Sequence, residues 1–280
     1  MSTAIEAEPG HDRRGGVWDY ISPSRLALFL KCPLAWKLRY IDGVRSPTSP
    51  ALFVGKVVHA GLESWYRHRM LGLELGAGTL RAWIADFWGQ SAADENMAFE
   101  SVAQETALQA QAIELVGTYL AQVPADEPRP LAVEATLEAP LIDPNSGENL
   151  GIPLLGVADL ILGPATSARI CDFKTSSKAA PPHEITHELQ LTSYAWLFRQ
   201  TTGQSESGLE IRSLIKTRSP KVEAHAYPAR TGRHFARLFS VIREYLDALD
   251  SGRHNFRPGG GCAMCDFRES HCRDWTGSGR

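Results

Sequence analysis

Three short segments carry residue types that can do hydrolytic chemistry together. Gly156-Val157-Ala158-Asp159 lies in an apolar stretch, Asp172-Phe173-Lys174 closes the next one, and Gln190-Leu191-Thr192-Ser193-Tyr194 follows on a helical pattern. Two aspartates on adjacent strands would offer hard oxygen ligands to one divalent cation. Side chains alternate along a strand, so Asp172 and Lys174 share a face. The lysine would stand beside the cation, placed to orient a water or to offset charge developing on a phosphate. Gln190 and Tyr194, four apart, are neighbours on one helical face. An isolated Asp-x-Lys is most often a surface ion pair; closing an apolar strand, between a second aspartate and the Gln/Tyr helix, it becomes a candidate site.

The cysteines form a second constellation. Cys262, Cys265 and Cys272 give C-x2-C-x6-C near the end of the chain, and Cys32 lies far upstream. Four thiolates can close a tetrahedral zinc site or hold an iron–sulfur cluster, and the spacing does not separate the two. Five cysteines, an odd count, speak against a disulfide framework. Cys171, beside Asp172 but facing the other way, reads as a small buried hydrophobe.

The elements that must position these groups follow from patterning. Ser22-Pro23 is a helix start, a Ser cap with Pro in the first turn. Further helices are expected over about 53–70, 78–91, 98–122 and 230–250, with one more carrying Leu189 to Leu197. Strands are expected over 130–140, 153–163, 168–174, 208–216 and 221–227. The chain is thus α/β with a helical front end. It divides into a flexible tail (1–17), a helical region with Cys32 and His59 (18–125), a sheet-containing core (126–250) and a cysteine-rich segment (251–280). At 280 residues, 43% hydrophobic and 22% charged, it can bury a substantial core. No apolar run is long enough to span a membrane and the N-terminus lacks a hydrophobic signal core, so a cytoplasmic protein is expected. The net charge of −3 speaks against a generic nucleic-acid coat, but eight Lys/Arg against two acids between Tyr20 and Met70 make that segment about +6.

The order Asp159, Asp172-x-Lys174, Gln190-x3-Tyr194 resembles the PD-(D/E)XK nuclease superfamily, in the branch of RecB-type exonuclease domains, CRISPR-associated RecB-like nucleases and AddB-type nuclease domains. Ser22-Pro23-Ser24-Arg25-Leu26, Cys32-Pro33, Trp36 and Tyr40 are similar to that branch's opening helix. Gly55-Lys56-Val57-Val58-His59-Ala60-Gly61-Leu62-Glu63 resembles its next motif. The resemblance implies a restriction-endonuclease-like mixed sheet flanked by helices, with a C-terminal cluster-binding segment. It implies Mg²⁺ or Mn²⁺ held by His59, Asp159, Asp172 and the Phe173 carbonyl, Lys174 as the catalytic lysine, and Gln190 and Tyr194 supporting the site. It also implies a structural [4Fe–4S] cluster on Cys32, Cys262, Cys265 and Cys272, with zinc the lesser alternative. Relatives commonly have five residues before the last cysteine; here His271 holds that position, and Cys272 is preferred.

The expected activity is a metal-dependent DNA exonuclease favouring single-stranded ends, in repair or recombination, with Arg25, Lys56 and Tyr194 as candidates to touch DNA and a separate helicase or repair protein as partner. The alternatives are a CRISPR-adaptation nuclease and a non-catalytic nucleic-acid-binding or assembly subunit. Two decoys need an answer. His183-Glu184-Ile185-Thr186-His187 matches the H-E-x-x-H zinc-protease pattern, but it follows Pro181-Pro182 and no third ligand stands out. Val54-Gly55-Lys56 is no phosphate loop, because Pro50 stands where its first Gly belongs. Aromatic residues around 83–88 are expected to pack a helix rather than stack bases, whereas Trp65 and Tyr66 could touch a strand.

Overall fold

A computed structural model describes residues 15–178 and 184–273, with backbone only for 184–186. Most of the expected tail, Pro181-Pro182 and His183 therefore lie outside the described residues. In chain order the elements are α1 (Pro23–Lys31), α2 (Pro33–Tyr40), α3 (Pro50–Leu71), α4 (Ala77–Asp94), α5 (Val102–Leu120), β1 (Pro130–Ile142), β2 (Asn149–Leu162), β3 (Arg169–Ser176), α6 (Glu184–Thr202), β4 (Gly208–Ile215), β5 (Lys221–Pro228) and α7 (Gly232–Asp250). The five strands form one mixed sheet in the order β1-β2-β3-β4-β5, flanked by helices, as a restriction-endonuclease-like fold requires. No described helix is long and apolar enough to cross a membrane.

The chain forms two compact units that interleave along the sequence. Of the described residues, one unit comprises 15–46, 138–155 and 232–273; the other comprises 47–137, 156–178 and 184–231. In the first, the Ser22 side chain accepts the Arg25 N–H at 3.3 Å and Pro23 opens α1. Cys32 ends α1 in an extended conformation and Pro33 starts α2 at once, so the opening segment is two helices. Phe29 and Trp36 meet Tyr245 of α7 edge to face at 5.1 and 5.4 Å.

In the second unit β3 and β4 are parallel, with Asp172 opposite Ile211 and Lys174 opposite Ser213. A parallel pair needs a crossover, and α6 supplies it. β2 and β5 run antiparallel to β3 and β4. β4 is buried at every position while edge strand β5 alternates, as their places demand. Two glycines set the approach of the helices that carry functional side chains. A Cβ on Gly55 would lie 2.8 Å from Thr175 Oγ1, so a larger residue would press on that side chain where α3 rests on the end of β3. A Cβ on Gly156 would meet Leu197 at 2.8 Å and Tyr194 at 3.2 Å, so the glycine of the first motif admits α6 against β2.

A buried polar knot fixes α3 and α5 to the sheet. Arg212 of β4 donates to Glu127 Oε1 (2.6 Å), to the Tyr119 hydroxyl of α5 (2.5 Å) and to the Tyr66 hydroxyl of α3 (3.0 Å). Arg69 of α3 pairs with the same Glu127 at 2.6 Å. Burial pushes the Tyr119 phenol up to about 12 and Tyr66 higher still, so both act as neutral hydrogen-bonding groups. Removing one member of such a buried set strands the others. Glu127→Ala is expected to lower unfolding stability by about 3–5 kcal/mol in urea titrations, and an unchanged midpoint would contradict this role for the knot.

Candidate active site

Strand pairing brings the acidic residues together. Leu160 of β2 pairs with Cys171 of β3. One step further along β2, the Asp159 carboxylate accepts the Phe173 N–H at 2.7 Å. On β3, Lys174 Nζ lies 2.6 Å from Asp172 Oδ2, the shared face that alternation demands. From α6, Gln190 Nε2 donates to Asp172 Oδ1 and to the Tyr194 hydroxyl, each at 2.8 Å. From α3, His59 Nδ1 stands 3.7 Å from Asp159 Oδ2, and the Phe173 backbone hydrogen-bonds the same imidazole.

The third carboxylate was missed by sequence reasoning. His59, Glu134 and Asp159 each offer a ligand atom, and those atoms lie within 4.8 Å of one another. Among the described residues this is the group whose chemistry and spacing suit a metal ion. Asp172, expected among the ligands, lies beside that trio, its carboxylate 2.6 Å from Lys174 Nζ and accepting Gln190 Nε2 at 2.8 Å. Glu134 sits within β1 at a backbone φ of +48°, a left-handed conformation that non-glycine residues adopt only at a cost. The available signal was an acidic residue inside the apolar run Leu131-Ala132-Val133-Glu134-Ala135. Nothing local says that its side chain turns toward β2.

Crowded buried charge dominates the electrostatics. Burial, then the neighbouring Asp159 and Glu63, pushes Glu134 up to about 7. Burial also raises Asp159, opposed by the Phe173 N–H and by Lys174. Asp172 is raised by burial against the pull of Lys174, with Asp159 adding to the rise. His59 is held below its ordinary value by burial, so its imidazole is neutral and free to donate a lone pair. A hard cation answers all of these at once: two carboxylates and a neutral imidazole, short of positive charge.

Other expected residues fall differently. Arg25 is 8% exposed; its guanidinium covers the Tyr20 ring at 3.8 Å and donates to the Tyr20 carbonyl at 2.5 Å. That engagement makes it a fastener of the N-terminal turn rather than a DNA contact. Tyr194 is 5% exposed and receives Gln190, which suits support of the site and not contact with a strand. Lys56 is exposed. Tyr66 is wholly buried in the knot, which removes it as a strand contact, while Trp65 is half-buried. Trp88 is core, as expected of the 83–88 aromatics, whereas Trp83 is exposed. Cys171 is fully buried and its thiol is pushed up to about 12, the inert residue its position suggested. His187 is described, but its H-E-x-x-H partner His183 is not.

The profile of the PD-(D/E)XK nuclease superfamily matches residues 20–273. The chain belongs to the PD-(D/E)XK nuclease superfamily. No curated protein matches it in sequence. Among solved structures it is similar to a protein of Eubacterium rectale described as a candidate exonuclease, at 14% identity and a TM-score of 0.59, over 90% of this chain and 88% of that one. At that identity the likeness is one of fold. The protein SSO0001 aligns over 93% of this chain and 89% of its own at 12% identity, with a TM-score of 0.44, too distant in shape to add to the argument.

The superfamily's nucleases use divalent metals, and the trio's charge has a measurable consequence. A carboxyl group whose folded pKa is about 7 against an ordinary 4.5 removes stability as pH rises through that interval. The metal-free protein is therefore expected to lose stability between these values, and Mn²⁺ affinity to climb as Glu134 gives up its proton. Glu134→Gln should flatten both profiles and weaken Mn²⁺ by about tenfold or more, read by calorimetry. Wild-type pH profiles in that variant would remove Glu134 from the site.

Proposed function

We propose that this protein is a metal-dependent DNA exonuclease acting on single-stranded ends, with a place in DNA repair or recombination. The observation that carries the reading is the meeting of His59, Glu134 and Asp159 beside the Asp172–Lys174 pair. Mg²⁺ or Mn²⁺ held by His59, Asp159, Asp172 and the Phe173 carbonyl, with Glu134 as a further carboxylate within reach, would supply Lewis acidity toward the scissile phosphate and its attacking water. The imidazole donor favours Mn²⁺, since Mg²⁺ prefers oxygen surroundings.

The chain's own residues do the rest. Lys174, one-third exposed at its side chain, holds its ammonium at the mouth of the site, where it can orient the water and offset charge on the phosphate. Asp172 pairs with that ammonium and accepts a hydrogen bond from Gln190, so α6 helps to position the lysine that would orient the attacking water. The Phe173 N–H fixes the Asp159 carboxylate in the same way. With Mn²⁺ and end-labelled single-stranded DNA, the wild type should release nucleotides, and Lys174→Ala should lower kcat by about 10²–10³, the range for removing one charge-stabilising donor. Full activity in Lys174→Ala or Asp172→Ala would sink the assignment.

The same reading includes a structural [4Fe–4S] cluster on Cys32, Cys262, Cys265 and Cys272. All four cysteines line one cavity of about 270 Å³. Burial, followed by the charges of the other three, raises the Cys272 thiol, as expected of groups that sense one another. Cys272 borders the cavity, whereas His271 bonds Ser270 at 2.8 Å, which supports the cysteine as the last ligand. Anaerobically purified protein should be brown and contain iron, and Cys272→Ser should lose the colour and melt earlier. Colourless protein with stoichiometric zinc would replace iron–sulfur with zinc.

A further inference from the structure

α4 divides its aromatic residues between two jobs. Leu80, Ile84, Trp88 and Ser91 are buried and form its packing face, with Trp88 against Phe53 at 4.8 Å. Trp83 and Phe87, each one position before a member of that row, form a second stripe turned about 100° away. Their rings stack at 5.1 Å with planes 12° apart, and Trp83 is 36% exposed. Phe87 is half-buried and packs against the core, while Trp83 stacks on it from outside with about a third of its surface exposed.

The stripe has a cation beside it. Lys56 Nζ lies 5.8 Å from the centre of the Phe87 ring and is held there by an ion pair with Glu95. Lys56 is exposed and sits three residues before His59 on α3, on the same face and about 4.5 Å along the axis. Exposed Trp83 stacked on half-buried Phe87 thus adjoins an exposed ammonium paired with Glu95, and His59 of the metal-suited trio follows about one turn along α3.

We propose that Trp83 and Phe87, with Lys56, form a stacking platform for the bases of single-stranded DNA on its way to the catalytic site. The occupant is chosen by the chemistry: aromatic faces take any unpaired base, and an adjacent ammonium takes the phosphate between bases. A duplex hides its base faces in its own stack, so the platform discriminates for single strands. The inference rests on the nuclease reading for its direction, but binding tests it separately from cleavage.

The test is fluorescence anisotropy of a labelled oligothymidylate and of a blunt duplex, with Ca²⁺ in place of Mn²⁺. Trp83→Ala should weaken the single strand by about 5- to 100-fold, the worth of one base–aromatic contact, and leave the duplex unchanged. Trp83→Phe should keep most of the affinity, because stacking and not shape is retained. Wild-type affinity in Trp83→Ala, equal loss for both DNA forms, or failure of the wild type to bind the oligothymidylate would overturn the platform. If the wild type binds and the variants behave as expected but no nucleotide is released with Mn²⁺, the platform stands and the nuclease reading falls.

Discussion

Three carboxylates forced close together inside a protein are the constraint on which this structure turns. Glu134, Asp159 and Asp172 come from three different strands, and burial raises the proton affinity of each. Such a group repels itself and stays together only where something outside it over-determines its place. Lys174 answers one carboxylate at 2.6 Å; the Phe173 N–H answers a second; Glu134 is pushed up to about 7 by burial and by Asp159 and Glu63. The arrangement is unfavourable for a metal-free chain and suited to a cation, the trade between stability and function expected of active sites.

The rest of the second unit is arranged around holding that crowd still. The parallel pairing of β3 with β4 fixes where Asp172 and Lys174 end, and the crossover it demands places Gln190 over Asp172. Gly156 and Gly55 are small because helices must come close: one admits α6 with Gln190 and Tyr194, the other admits α3 with His59. The Arg212–Glu127–Tyr66–Tyr119 knot ties α3 from its other half, so His59 is held by a helix anchored on both sides. Specificity of position here comes from polar groups in the interior as much as from apolar packing.

Much of this was legible in one dimension. Strand alternation put Asp172 and Lys174 on one face, and helical spacing put Gln190 beside Tyr194; both follow from local periodicity. The strand and helix spans also came close, since apolar patterning and Pro or Gly punctuation carry them. Glu134 was illegible because its part depends on a left-handed turn of the backbone inside a strand, which no neighbouring residue announces. Arg25 misled for the opposite reason: a basic residue in a basic segment is ordinarily solvated, and only folding lays it over Tyr20. Trp83 and Trp88 differ by burial alone, which residue type cannot tell.

By itself the sequence determined the chemistry available: two acids and a lysine at strand spacing, a glutamine and tyrosine one helical turn apart, a histidine in a glycine-flanked helix, and a C-x2-C-x6-C run near the end of the chain. These are local facts, written in the period of the backbone. The tertiary structure decided which acids face one another, drawing Glu134 to Asp159 and His59 and setting Asp172 between Lys174 and Gln190. It also decided which basic and aromatic groups remain open to a substrate. Those choices depend on strand order and burial, which join residues far apart in the chain and are therefore not written in any one stretch of it.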